Sequence, residues 1–411
     1  MTEDTQEVST FEELGVSADL IASLADTGIT SPFPIQTLTI PDALEGSDVC
    51  GQAQTGSGKT IAFGIPLVER TADAEPSAPT SLVLVPTREL CLQVAGEVRR
   101  LAEARGLRLA AIYGGAPMGR QIDEVRKAQI VVATPGRLID MADRRHLSLA
   151  NVSTVVIDEA DQMADMGFLP QVHAVMRLIE VDHQTMLFSA TLDGAVGSLI
   201  NSYMSDPVRF QADDPTEVAD NQEHRFLQVH YMDKARVVGS IASGVSRTLV
   251  FVGTKRNADR VCADLKKEGV DAAAIHGDRR QSEREKALSQ FSTGKLAVLV
   301  ATNVAARGLH IDDVDVVIHF DPPQDYKSFI HRSGRTARAG EEGLVVTLVE
   351  WDQIQDVQRL QRASGLHQEI VKMFSNDPRL TDLVGFEPDT VEFKRTSDAD
   401  LSRRAGRRRR R

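Results

Sequence analysis

The stretch Ala53-Gln54-Thr55-Gly56-Ser57-Gly58-Lys59-Thr60 lies between a short apolar run, Asp48-Val49-Cys50, and a helix-like segment, Ile61-Ala62-Phe63-Gly64-Ile65. In this strand, loop and helix order, small residues let backbone N–H groups close around a polyphosphate. Lys59 then reaches the β- and γ-phosphates and Thr60 ligates Mg²⁺, while the helix N-terminus adds partial positive charge. The strict pattern has Gly where Ala53 stands, so the motif alone leaves a plain strand-turn-helix open.

Downstream, apolar runs alternate with helix-like stretches: 82–85, 109–113, 130–133, 155–157 and 186–188. Short continuous apolar strands separated by helices predict a parallel sheet covered on both faces, with functional residues at the carboxyl ends of the strands. Polar motifs punctuate those ends: Pro86-Thr87-Arg88-Glu89-Leu90, Gly114-Gly115, Thr134-Pro135-Gly136-Arg137, Asp158-Glu159-Ala160-Asp161 and Ser189-Ala190-Thr191. A carboxylate at a strand end beside a phosphate loop is where the Mg²⁺ of a bound nucleotide finds its protein ligand, which points to Asp158. Glu159 is then placed to activate water; the competing reading is a solvated charge cluster on a helix. Upstream, Pro32 and Pro34 fix an extended turn before Gln36, whose amide offers the donor and acceptor that an adenine edge requires. The alternatives are a core role for Phe11 and a helix cap for Gln36.

A polar, acidic stretch from Ala212 to His224 has linker composition, and a second alternation follows at 226–231, 248–251, 272–275, 298–301, 314–320 and 344–348. This half has no phosphate loop. It carries Gln281-Ser282-Glu283-Arg284, the run from Ala301 to His310, and His331-Arg332-Ser333-Gly334-Arg335-Thr336-Ala337-Arg338. Arginines at 332, 335 and 338 share one face if the segment is helical; they read either as a solvated basic face or as cations supplied to a γ-phosphate from a second domain.

At 411 residues two domains are expected. The net charge is −12, but the distribution is uneven: seven arginines among residues 403–411 leave 40 basic and 59 acidic side chains in residues 1–402. A local groove and a basic tail still suit a phosphate backbone, because screening over about 8 Å makes the local field decisive. The tail reads as a nonspecific phosphate-binding appendage, with a merely solubilising run as its competitor. Cys50, Cys91 and Cys262 show no metal-ligand spacing and are expected to be buried thiols. No apolar run is long enough to span a bilayer and the N-terminus lacks signal-peptide features, so a cytoplasmic protein is expected.

Assembled, these residues resemble the DEAD-box family of ATP-dependent RNA helicases over about residues 11–370. The resemblance implies an α/β fold of two tandem RecA-like domains with parallel sheets, joined by a flexible linker. The expected segments are an acidic N-terminus at 1–10, a first domain at 11–211, a linker at 212–224, a second domain at 225–376 and a flexible tail at 377–411. It implies that Phe11 and Gln36 recognise adenine, and that Ala53, Gln54, Thr55, Gly56, Ser57, Gly58, Lys59 and Thr60 hold ATP. Asp158 and Thr60 would position Mg²⁺, Glu159 would activate water, and Arg335 and Arg338 would reach the γ-phosphate. Ser189 and Thr191 would couple hydrolysis to strand separation. RNA contacts map to Thr87, Arg88, Gly115, Thr134 and Arg137, and to Gly277, Arg284, Thr302 and Arg307. The expected partner is RNA, alone or in ribonucleoprotein assemblies, and the expected state is a monomer.

Three residues depart from the family pattern: Phe33 in place of Thr, Asn303 in place of Asp, and His310 in place of the Asp that contacts ribose. His310 is the feature that would favour the alternative function, an ATP-gated RNA clamp with little turnover. A DNA helicase, the third reading, would respond equally to DNA.

Overall fold

The computed structural model describes residues 10–53, 57–192, 194–211, 221–302, 311, 314–337 and 343–386. They divide into two compact units, the first built from the described residues up to 211 and the second from 221–302, 314–337 and 343–386.

In the first unit, α1 (Ala18–Ala25) and α2 (Pro34–Glu45) precede β1 (Val49–Gln52), and α3 (Lys59–Arg70) follows the phosphate loop. Alternation then runs through β2 (Ser81–Leu84), α4 (Arg88–Ala104), β3 (Leu109–Ile112), α5 (Met118–Val125), β4 (Ile130–Ala133), α6 (Pro135–Asp143) and β5 (Thr154–Asp158). The unit closes with α7 (Ala160–Asp165), α8 (Leu169–Met176), β6 (Gln184–Ser189), α9 (Gly194–Tyr203) and β7 (Val208–Gln211). The strands form one parallel sheet in the order β3-β4-β2-β5-β6-β1-β7.

The strand period of two explains why the runs are apolar throughout. Val83, Val132, Val156 and Met186 bury into one cluster with α2, α3 and α4, while Leu82, Val131, Val155 and Leu187 bury into a second on the opposite face. β7 is the edge strand that the sequence reading did not anticipate; its half-buried, half-exposed alternation is that of an edge.

The second unit repeats the plan with β8 (Gln222–Gln228), α10 (Lys234–Ala242), β9 (Thr248–Val252), α11 (Lys255–Lys267), β10 (Ala272–Ile275), α12 (Gln281–Ser292) and β11 (Val298–Thr302). After these come β12 (Val316–His319), α13 (Tyr326–Ser333), β13 (Gly343–Val349), α14 (Ile354–Ala363) and β14 (Ile370–Lys372). Its parallel sheet runs β10-β11-β9-β12-β13-β8-β14.

Three expectations are corrected here. β8 begins at Gln222, inside the stretch read as linker, because β13 pairs with it from that residue. The segment from Asp377 is not all flexible tail: a 3₁₀ turn at Pro378–Thr381 buries Leu380, Leu383 is buried after it, and buried Arg225 donates from Nε to the Leu383 carbonyl at 2.9 Å. Third, α13 ends at Ser333, so Arg335 lies beyond the helix and the three-residue arginine spacing is not a helical face. Arg332 instead donates to the Asp321 carbonyl at 2.9 Å and lies over the Phe251 ring.

Two buried histidines sit beneath that region. His224 and His319 pack on Phe329 with centroids 5.4 and 5.2 Å away, and His319 Nδ1 meets Thr347 Oγ1 at 3.1 Å. Burial, with help from Arg225, holds His224 down at about 3; burial and Arg332 hold His319 well below its usual value. Below pH 6.5 the unfolded chain gains protons that the folded unit refuses, so stability is complete above that pH and declines on acidification. The expected loss by pH 5 is about 2 kcal/mol for His224, and His319 adds a loss of the same sign. Urea unfolding at pH 7.5 and pH 5 checks this, and His224→Leu should flatten the dependence.

Candidate functional site

Six of the sequence motifs, the phosphate loop after β1 and the five polar motifs after β2 to β6, lie at the carboxyl end of the first sheet. Gly58 caps α3 at φ 85°, a left-handed conformation that glycine adopts without cost. A Cβ at that position would meet Gln36 Nε2 and the Phe33 ring, so the loop and the Gln36 turn are built against each other. The Gln36 side chain donates to the Gly58 carbonyl at 2.9 Å and accepts the Phe33 N–H at 2.9 Å. Gln36 is thus both a helix-start cap and a brace for the phosphate loop, with one further donor and acceptor on its amide. Phe11 is 2% exposed and belongs to the hydrophobic core rather than to an open face.

Lys59 is buried and donates from Nζ to the Ala53 carbonyl at 3.1 Å, spanning the loop. Asp158, the last residue of β5, and Glu159, which follows it, are also buried. Burial lifts the Asp158 carboxyl to about 7; Lys59 opposes the rise, and Glu159 and Asp161 add to it. Glu159 stands at φ 51°, a conformation costing roughly 1–3 kcal/mol for a residue with a side chain. Its own N–H donates to Asp158 Oδ1 at 2.9 Å. Buried carboxylates gathered around one ammonium suit a divalent cation carried on a polyphosphate, because neither charge is tolerated unpaired. The set fits Mg²⁺ with ATP on that ground.

Ser189, at the end of β6, ties three motifs together. Its hydroxyl accepts the N–H groups of Asp161 at 3.2 Å and Thr191 at 3.3 Å, and its carbonyl accepts the Ala53 N–H at 3.1 Å. Gln52 donates to the Ala190 carbonyl at 3.2 Å. Gln52 was missed in the sequence, where its only signal is adjacency to the phosphate loop, and Asp161 was quoted within the Asp158–Asp161 motif without a role of its own.

At the other side of the same edge, Arg88 lies over the Tyr113 ring at 4.7 Å, and Thr87 caps α4 by accepting the Leu90 N–H. Gly115 has φ 78°, and a Cβ there would sit 3.4 Å from the Arg88 guanidinium. Arg137 donates to the Ala116 carbonyl at 3.1 Å and to Gln121 Oε1 at 3.0 Å, while Gln121 donates to the Tyr113 carbonyl. Thr134, the cap of α6, bonds the Ile112 carbonyl through its N–H. Thr87, Arg88, Gly115, Thr134 and Arg137 therefore form one group. Tyr113 and Gln121, which brace it, were not recognised in the sequence.

In the second unit, Thr302 ends β11 and is buried, Gly277 lies exposed beyond β10, and Arg284 is on α12. Arg335 is buried, and its carbonyl accepts the Val314 N–H at 3.5 Å. Gln54, Thr55, Gly56, Asn303, Arg307, His310, Arg338 and the arginines of 403–411 lie outside the described residues. All three cysteines are buried, and burial pushes their thiols up to about 11 at Cys50 and about 12 at Cys91 and Cys262, which makes them inert packing groups. No helix among the described residues is long and apolar enough to cross a membrane.

Comparison with known proteins agrees with this geometry. Residues 33–198 match the DEAD/DEAH box helicase family model, and residues 233–340 match the helicase conserved C-terminal domain. The DEAD-box ATP-dependent RNA helicase CshA of Bacillus cereus is 40% identical over 358 residues, spanning 86% of this chain and 68% of that protein. CshA of Geobacillus kaustophilus is 39% identical over 89% of this chain and 79% of its own. The structure of S. cerevisiae Dbp5 bound to RNA and ADP BeF₃ superposes with a TM-score of 0.81 at 28% identity, over 92% of this chain and 98% of that one.

Proposed function

We propose the following division of labour for a chain that belongs to the DEAD-box family of ATP-dependent RNA helicases, whose ATPase activity and RNA binding it shares. The loop that ends at Gly58 and the first residues of α3, Lys59 and Thr60, bind the phosphates of ATP. Lys59 places positive charge where the β- and γ-phosphates lie, and the Gln36 turn holds the loop and reads the adenine edge. Thr60 and Asp158 are the residues that would hold Mg²⁺, which on binding draws charge from the phosphate oxygens. Glu159 orients the attacking water and takes its proton. Arg335 and Arg338 serve the γ-phosphate from the second domain, so that neither domain hydrolyses ATP alone.

The hydroxyl and carbonyl of Ser189 give the coupling its physical path. One strand end bonds both the DEAD segment and the start of the phosphate loop, so a shift at the phosphates is passed to the Ser189-Ala190-Thr191 turn. The Thr87, Arg88, Gly115, Thr134 and Arg137 group contacts RNA in the first domain, and Gly277, Arg284, Thr302 and Arg307 in the second. Contacts of this kind to sugar and phosphate make the enzyme weakly sequence-specific and selective for RNA through its 2′-hydroxyls. The protein acts in the cytoplasm, on RNA or ribonucleoprotein structure.

The observation that carries this reading is the buried Lys59, Asp158 and Glu159 set behind a left-handed Gly58. Asp158→Asn tests it: Mg²⁺-dependent ATP affinity should fall about 10- to 100-fold, the usual cost of losing a residue that orients a metal's ligands. An unchanged affinity would remove Asp158 from the metal site.

A further inference from the structure

We infer that the second unit carries an aromatic platform, at the end of β13, β8 and β14, on which bases of single-stranded RNA stack beyond the contacts already assigned. Tyr231, Met232, Trp351 and Phe374 are 52%, 75%, 76% and 57% exposed, and they include the two most exposed large apolar side chains among the described residues, Trp351 and Met232. They follow three adjacent parallel strands, whose register aligns Val349 and Lys372 with Gln228. The loops are tied to one another: Ser375 N–H donates to Asp233 Oδ2 at 2.8 Å, and buried Lys234 pairs with Glu350 at 2.9 Å. The exposed side chains are thus held on rigid loops at one corner of the sheet.

Two cations define the chemistry of the occupant. The Arg260 guanidinium lies over Tyr231 at 5.6 Å and the Lys372 ammonium over Phe374 at 5.3 Å. Aromatic faces paired with basic groups are the composition that binds a single strand without sequence preference, the rings taking bases and the cations phosphates. The location agrees. Because every strand of the sheet is parallel, this corner lies on the same edge as Thr302 and Gly277. β11 and β13 are separated by three strand spacings, about 14 Å at about 4.8 Å each. A strand leaving the Thr302 region reaches the platform within a few nucleotides. The inference rests on the RNA-binding reading and extends it to a longer footprint.

Trp351 is the chain's single tryptophan, so its fluorescence reports the platform directly. The full-length protein is titrated with two oligouridylates, one just long enough to stimulate ATP hydrolysis and one of twice that length. The longer RNA should quench Trp351, and the shorter one should stimulate ATPase with little quenching. Trp351→Ala should weaken the longer RNA about 5- to 150-fold, the range for losing one stacked base, and leave ATPase stimulated by the shorter RNA unchanged. Phe374→Ala should reduce both the quenching and the affinity for the longer RNA. Stimulation without quenching by either RNA, with equal affinity in Trp351→Ala, would overturn the platform while keeping the RNA-binding reading. An emission shift that follows protein concentration without RNA would assign the patch to self-association and also overturn it. Absence of stimulation by either RNA would instead strike the underlying reading.

Discussion

Glu159→Gln is expected to lower RNA-stimulated ATP hydrolysis by about 10²- to 10⁴-fold, the contribution of a positioned general base. The substitution keeps shape and hydrogen-bonding reach but removes the proton acceptor. It also leaves the backbone at φ 51° and the bond from the residue's own N–H to Asp158 unaltered. ATP and RNA affinity should therefore change little, and removing one buried negative charge should if anything stabilise the ligand-free protein, since Glu159 raises the Asp158 carboxyl. Single-turnover hydrolysis with ATP and RNA both saturating separates the chemical step from binding. A variant that binds normally and still turns over at the parent rate would mean that another group activates water.

Lys59→Ala should act differently. Its loss removes the cation for the phosphates, and a fall of about 10²- to 10³-fold in turnover is expected from deleting one such preorganised group. Here binding should fail as well, because the same ammonium spans the loop to the Ala53 carbonyl and offsets the buried Asp158 carboxyl. ATP affinity should drop and the ligand-free protein should lose stability. The two variants thus split the site: Glu159 governs kcat alone, whereas Lys59 governs affinity, kcat and folding together. Equal thermal stability of Lys59→Ala and the parent would show that the buried carboxylates do not depend on Lys59.

The placement of the first domain's motifs was legible from the residues, because they stand directly at strand ends and the strands are continuous apolar runs. Asp158 and Ser189 are read correctly as strand-end residues for that reason. What stayed illegible depends on contacts distant in sequence. Nothing local announces that Tyr113 supports Arg88, that Gln121 holds Arg137, or that Ser189 bonds Asp161. β7 is short and alternates in burial, so it lacks the apolar run that marks the inner strands. In the second domain the arginine spacing misled: a three-residue repeat suits a helix, but Gly334 ends α13 and separates Arg335 from it. Leu380 and Leu383 were read as tail because their buried neighbours come from remote strands and helices of the unit.

The central claim is that ATP hydrolysis, which draws on residues of both domains, depends on RNA. Steady-state ATP hydrolysis by the full-length protein, with and without single-stranded RNA and in the presence of Mg²⁺, tests it most directly. The account predicts strong stimulation by RNA, weaker stimulation by DNA of the same sequence, and none in Glu159→Gln. Hydrolysis at one rate with or without RNA would contradict it.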